Sequence, residues 1–152
     1  MSSRPFREAP EILARVRRRL PLAAEEALRL LRDDAVDEAR KNLSGRVLNP
    51  RSRNLLRSVR GRVRPASGGS GAHLDLSAGD ERAPYARIHE LGGRIVGNPW
   101  LVFQVAPGQW RKVREVTIPR RPYLRPALED AQRRLPQHVA SVLVPLLSFE
   151  GV

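Results

Sequence analysis

The chain has 152 residues, about the size of one ordinary domain, and its 41% hydrophobic residues suffice for a single core. Its 28 basic and 16 acidic residues give a net charge of +12, which favours polyanions or acidic protein surfaces as partners. The absence of cysteine excludes disulfides, thiolate metal sites and cysteine nucleophiles. Because it has neither a long apolar run nor a secretory signal, we expect a soluble protein of a reducing cytoplasm with no membrane partner.

The N-terminal part of the sequence predicts two helices. Pro10 suits the first turn of a short helix, which Pro21 is expected to end. A long helix over residues 22–43 follows, because apolar residues such as Leu28 and Leu31 recur every three or four positions. Acidic and basic side chains share the opposite face of this helix.

Residues 44–71 predict an Arg-rich flexible loop followed by a strand. Leu55, Val59 and Val63 lie among polar residues in a pattern that we interpret as a strand. A second strand around Leu74 completes a hairpin, and the Gly- and Ser-rich sequence before it indicates a flexible tip.

The same segment is strongly basic. It has seven arginines between positions 46 and 64 and no acidic residue there. One interpretation is a solvated surface enriched in arginine by genomic composition. The other is a loop that docks on an acidic protein surface or lies near DNA. The candidate partner-facing or DNA-facing residues are Arg46, Arg51, Arg53, Arg57, Arg60, Arg62 and Arg64.

The central part of the sequence predicts a short helix and a hairpin. Pro84 suits a helix start, residues 86–91 are compatible with a helix, and Gly92 suits a left-handed cap at its end. Residues 100–119 predict two strands around a turn at Pro107–Gly108.

The C-terminal part predicts a helix that begins near Pro126 and is interrupted by Pro136, which leaves residues 136–152 as an extension. The whole order of elements predicts a single α+β domain over residues 1–152. In it, an antiparallel sheet of about four strands is flanked by a long N-terminal helix, a short central helix and a C-terminal helix.

The sequence shows no catalytic or metal-binding motif. His73, His89 and His138 lack the spacing of a helical metal site. Glu90 follows His89 directly, and helix neighbours do not face each other. There is no nucleophile elbow, phosphate-binding loop or dinucleotide fingerprint. We expect a protein that is not an enzyme and uses no cofactor or metal; a hydrolase assembled from distant residues is the remoter alternative.

Two segments in order, YARIHELGG (85–93) and IPRRPYLRPAL (118–128), resemble the virion-morphogenesis or tail-completion proteins of tailed bacteriophages, the Mu-like and related head–tail joining families. The stretch NPRSRNLLRSVRGRV is similar to the usual strand entry of those families, with Asn54 where glycine or a basic residue is common. The matching motif positions are Tyr85, Ala86, Ile88, His89, Gly92, Gly93, Pro119, Arg121, Pro122, Tyr123 and Leu124.

The resemblance implies a structural virion protein of the tail or neck, made in the host cytoplasm. It would form a homo-oligomeric ring, often a hexamer, that completes the tail or joins it to the head connector. The implied partners are further copies of the chain, connector or neck proteins, tail-tube or tail-terminator proteins, and packaged DNA in the lumen. A small basic nucleic-acid-binding protein that acts through phosphate contacts is the alternative.

Some roles can be assigned to individual residues. Tyr85, Ile88 and Leu91, three apart, are expected to pack on one side of the central helix, and Leu124 to seat the last helix on the sheet. A ring of identical subunits requires two different complementary patches. The mixed face of helix 22–43 and the Arg-rich hairpin are the expected pair.

Overall fold

The computed structural model describes residues 9–48, 53–67 and 71–148. It confirms the α+β class, but its four strands form two separate antiparallel sheets of two strands each. A turn over Asn42–Arg46 follows the first helix, and the chain kinks there because Ser44 and Gly45 have non-helical backbone angles. The other elements are α1 Ala9–Lys41, α2 Asn54–Ser58, β1 Arg60–Pro65, β2 Ala72–Ser77, α3 Ala86–Leu91, β3 Gly93–Ala106, β4 Gln109–Ile118 and α4 Leu124–Ser148.

Both terminal helices run through prolines that were expected to interrupt them. Pro21 lies inside the 33-residue α1, and Pro136 and Pro145 lie inside the 25-residue α4. The predicted helix break at Pro21 and the C-terminal extension from residue 136 are therefore wrong as secondary structure. Each proline removes one backbone donor, but helix propagation is cooperative and the residues on either side keep the helical conformation.

The Arg-rich segment contains a short helix as well as a strand. Leu55 lies in α2, so the predicted strand is wrong at its start, and β1 begins at Arg60. Leu55 and Val59 are both buried, and their spacing of four residues brings them to one side of a helical turn. The flexibility predicted around residues 49–52 and 68–70 concerns positions outside the described residues.

The central elements follow the prediction closely. The short helix α3 and the turn at Gly108 are confirmed. Gly92 ends α3 with the expected positive φ (71°), but its ψ of 173° is extended, so the predicted left-handed cap conformation is wrong. The β3–β4 hairpin is longer than expected, because β3 begins at Gly93 and pairs with Ile118 at the far end of β4. The register shifts between Val96 and Leu101.

The contacts divide the chain into two compact units. The first comprises the residues up to Glu38, Arg60–Leu76 and the residues from Leu128 onward, and the second comprises Ala39–Val59 and Ser77–Ala127. In the first unit, Leu31 and Ala35 of α1 meet Ala131 of α4 in a buried cluster. Leu28, Leu74, Leu76 and Leu135 pack against it.

Small residues let the elements of the first unit approach closely. A Cβ added to Gly61 of β1 would lie 2.4 Å from Cγ of Arg32 in α1. Ala35 and Ala131 are almost fully buried at 0% and 1% exposure, so neither has room for a larger side chain. Within the described residues, no helix combines the length and the apolar character needed to cross a membrane.

We predict that Ala35→Leu lowers the free energy of unfolding by about 1–3 kcal/mol, because three added carbons must displace a packed neighbour. Urea denaturation followed by circular dichroism measures the change. Ala140→Leu adds the same atoms at an exposed position of α4, and its effect should stay within about 0.5 kcal/mol. Equal stability of the two variants would contradict close packing at Ala35.

Candidate functional site

The two segments that carry the phage resemblance pack on each other in the second unit. Tyr123, from the second segment, is fully buried. Its hydroxyl lies 3.4 Å from the backbone oxygen of Ala86, to which it donates a long hydrogen bond. Its own carbonyl accepts a hydrogen bond of 3.1 Å from Nδ2 of the buried Asn42. Tyr123 therefore connects the N-terminus of α4 to α3 and to the turn after α1.

Glu90 supplies the hydrogen-bond acceptors for the start of α4. Its Oε2 accepts from the backbone N–H groups of Tyr123 (2.7 Å) and Leu124 (2.9 Å), and its Oε1 accepts from that of Arg125 (3.0 Å). The next residue is Pro126, which has no N–H. One carboxylate thus satisfies every backbone donor of the first turn, and its negative charge faces the positive end of the helix dipole.

The backbones of the two segments also meet directly. The N–H of Arg121 in the second segment donates to the carbonyl of His89 in the first at 2.8 Å. Within the first segment, the N–H of Gly92 donates to the carbonyl of Ile88 at 2.8 Å and ends α3. A Cβ on Gly92 would lie 2.9 Å from the backbone nitrogen of Arg120. Its positive φ and this close approach both require glycine at position 92.

His89 lies beside this backbone junction. Its Nδ1 is buried and has no hydrogen-bond partner among the described residues. Its ring meets that of Tyr85 edge to face, with centroids 5.6 Å apart. Burial, together with the positive charge of Arg121, lowers the pKa of His89 below its usual 6.5. Burial of Tyr123 itself is the main reason that its pKa rises to about 12.

The expected packing of α3 is wrong at two of its three residues. Tyr85 and Leu91 are exposed, and the buried residue of α3 is Ala86. Leu124 is partly buried, next to the fully buried Tyr123. Of the other motif residues, Pro119, Arg121 and Gly93 are exposed, whereas Ile88 and Pro122 are partly buried.

Six of the seven candidate arginines are described, and they are divided equally between the two units. Arg60, Arg62 and Arg64 share the exposed face of β1, where Arg64 forms an ion pair of 3.0 Å with Asp75 of β2. The exposed Arg46, Arg53 and Arg57 belong to the other unit, and Arg51 lies outside the described residues. The exposed face of the β1–β2 sheet also carries His73 and therefore has mixed polar character.

The β3–β4 hairpin is the main exposed apolar surface of the second unit. Both tryptophans of the chain lie in it, and Trp110 (66%), Val96 (65%) and Val102 (60%) are largely exposed. The exposed large hydrophobic residues of the hairpin are Ile95, Val96, Trp100, Val102, Phe103, Val105 and Trp110.

One face of this hairpin combines aromatic and cationic side chains. Nζ of Lys112 lies 4.9 Å and Cζ of Arg114 lies 5.1 Å from the ring centroid of Trp100. Val102 is paired with Lys112, and Gln104 with Trp110, so these side chains lie on the same face. We name it the tryptophan face; it consists of Trp100, Val102, Gln104, Trp110, Lys112 and Arg114. The opposite face carries Val96, Phe103 and Arg111.

The histidine nearest to a catalytic arrangement is His138 in the first unit. Its Nε2 lies 3.0 Å from Oδ2 of Asp34, which also accepts a hydrogen bond from Arg134 at 3.2 Å. Ser141 donates to the backbone carbonyl of His138, so its hydroxyl does not complete a Ser–His–Asp relay. In the described part of the chain, no three His, Asp or Glu side chains are grouped so that they could hold a metal ion.

Comparisons with known proteins gave no match to a family model, to a curated protein or to a solved structure.

Sequence reasoning identified the two packed segments but missed Glu90 and Asn42 as the residues that tie them together. The tryptophan face was also missed. The pattern of hydrophobic and basic residues in WLVFQVAPGQWRKVREV indicates this face, because alternate residues of two paired strands lie on the same side of the sheet.

We predict that Glu90→Ala lowers the free energy of unfolding by about 2 kcal/mol, because three backbone donors at the start of α4 lose their acceptor. Chemical denaturation gives the value. Glu81→Ala removes a carboxylate from an exposed turn and should change stability by less than about 0.5 kcal/mol. If the two variants were equally stable, the Glu90 cap would not stabilise the fold.

We also predict that His89 makes the protein less stable in mild acid. Its folded pKa is lowered, so the unfolded chain binds the proton more tightly, and stability falls as the pH drops below about 6.5 toward the folded pKa. Above that range the histidine is neutral in both states and the effect vanishes. Denaturation of the wild type and of His89→Gln between pH 7.5 and 5 measures the difference.

The wild type should lose stability relative to His89→Gln only in the acidic part of this range. Arg121→Gln should weaken the pH dependence without abolishing it, because burial is the larger cause of the shift and Arg121 the smaller. Parallel curves for the wild type and His89→Gln would contradict a lowered folded pKa.

Proposed function

We propose that the chain is a structural virion protein of a tailed phage or prophage. In this proposal it forms a ring that completes the tail or joins it to the head connector. The observation that carries the self-assembly is the β3–β4 hairpin, which exposes seven large hydrophobic residues on its faces. The resemblance of residues 85–93 and 118–128 to head–tail joining proteins supports the placement of that assembly in a tail or neck.

The hairpin supports self-assembly for an energetic reason. An isolated two-stranded hairpin is marginally stable in water, and monomeric proteins rarely leave extended apolar patches uncovered. Burial of the exposed valines and tryptophans in a subunit contact would stabilise both the hairpin and the assembly. The hydrogen bond between the motif residue Tyr123 and Glu90 stabilises the base of the hairpin and leaves the hairpin surface for contacts.

The runner-up is a small basic nucleic-acid-binding protein. The net charge of +12 and the three exposed arginines of β1 favour it, since phosphate contacts need little more than clustered cations. Salt-dependent binding of any duplex, lost when Arg57, Arg60, Arg62 and Arg64 are replaced by alanine, would favour this function. The cationic and aromatic character of the tryptophan face is compatible with it as well.

We predict that the purified protein, free of nucleic acid, forms a closed oligomer whose population grows with concentration. Native mass spectrometry would give a single multiple of the subunit mass of 17.1 kDa, and negative-stain electron microscopy would show rings. The physical reason is burial of the apolar hairpin. A protein that stays monomeric at high concentration and ignores isolated phage tails and connectors would contradict the proposal.

A further inference from the structure

We infer that the tryptophan face of one chain docks on the exposed face of α1 in a second copy. The inference rests on the proposed self-assembly and identifies the two surfaces that perform it. It replaces the Arg-rich hairpin β1–β2 with the hairpin β3–β4 as the basic partner of the long helix.

The basic surface is the hairpin. Residues 93–118 contain four basic residues and one acidic residue, a net charge of +3. On the tryptophan face, Lys112 and Arg114 stand beside the largely exposed Val102 and Trp110. Stable protein interfaces combine aromatic anchors with flanking charges in this way. The exposed face of β1–β2 lacks such anchors, and its Arg64 is already paired with Asp75.

The acidic surface lies on α1. Its segment from Glu25 to Glu38 contains six acidic and two basic residues, a net charge of −4 in a chain of +12. Exposed residues at spacings of three and four form a single line along the helix, with two leucines and three acidic side chains. We name this line the acidic stripe; it consists of Leu22, Glu26, Leu30, Asp33 and Asp37.

The acidic stripe already holds ion pairs within α1, yet the carboxylates of Glu26 and Asp33 remain largely exposed. Arg29 pairs with Glu25 and Glu26, and Arg32 pairs with Asp33. The side chains of Glu26 and Asp33 are 51% and 63% exposed, and pairs of such exposure contribute little stability. Exchange of these contacts for Lys112 and Arg114 of another chain therefore costs little.

A groove beside the stripe can receive an aromatic side chain. A depression of about 440 Å³ lies between α1 and α4, and Leu22 and Glu26 belong to both the depression and the stripe. Leu22, Ala23, Val142 and Pro145 give it an apolar lining, and its charged residues are Arg19, Arg29, Glu25 and Glu26. The apolar lining matches an indole such as that of Trp110, whereas the preference for Lys112 and Arg114 comes from the acidic side chains further along the stripe.

Charge also excludes the simplest alternative arrangement. Two tryptophan faces placed against each other would bring Lys112 and Arg114 close to their own copies, and such juxtaposition of like charges is costly. The hairpin against the stripe is a contact between two different surfaces. Contacts of this kind close into rings when the rotation between subunits allows it.

The test uses two full-length double variants with reversed charge. One carries Lys112→Glu and Arg114→Glu on the tryptophan face, and the other carries Asp33→Lys and Asp37→Lys on the acidic stripe. Each double variant alone should weaken self-association at least about tenfold, measured by light scattering and native mass spectrometry over a range of protein concentrations. An equimolar mixture should assemble again, because every junction in an alternating ring then joins opposite charges. Trp110→Ala should weaken assembly without changing the charge.

The matched control is Arg60→Glu with Arg62→Glu. It changes the net charge as much as the Lys112/Arg114 variant does, but on the β1–β2 hairpin, and it should leave assembly intact.

If the wild type assembles and the Lys112/Arg114 variant assembles equally well, the docking surfaces are wrong although the proposed function stands. Failure of the mixture to assemble also overturns the inference. A wild type that never assembles overturns both, and loss of nucleic-acid binding by the Lys112/Arg114 variant without loss of assembly assigns the face to nucleic acid instead.

Discussion

The carboxylate of Glu90 determines where α4 begins and how it joins the rest of the second unit. A 25-residue helix leaves unpaired donors at its first turn, and here Glu90 accepts all three of those that exist. Since Glu90 belongs to α3, these bonds hold α3 against the start of α4. The buried Tyr123 extends the connection to Ala86 and Asn42, so one cluster orients the elements on either side of the β3–β4 hairpin.

Because this cluster stabilises the base of the hairpin, the fold of the second unit does not require the apolar residues further along the strands to be buried. The fold of the second unit relies on a charged cap, a buried tyrosine and backbone contacts near Gly92, all located at the base of the hairpin. Phe103 and Trp110 lie further along the strands and are exposed. Their substitution therefore tests contacts between molecules with little effect on the folding of the subunit.

The sequence predicted the elements better than it predicted their connections. The α+β class, α3, the glycine that ends it and the turn at Gly108 follow from local patterns, and local interactions form them. Glu90 could not be found in this way, because it caps a helix that begins 34 residues later, and capping rules consider only neighbouring residues. The break predicted at Pro21 failed for a different reason. Proline is a strong local signal for the end of a helix, but the cooperativity of the long α1 outweighs it.

The β3–β4 hairpin shows a second limit of prediction from sequence, and this limit concerns the surface that the proposed function uses. Alternation of apolar and polar residues predicts a strand with one buried face, whereas β3–β4 exposes apolar residues on both faces. A net charge of +12 makes two copies repel each other, so a contact between them is favoured where it brings opposite charges together. The acidic residues are concentrated between Glu25 and Glu38, and this uneven distribution, more than the net charge, determines which surfaces of two copies can meet.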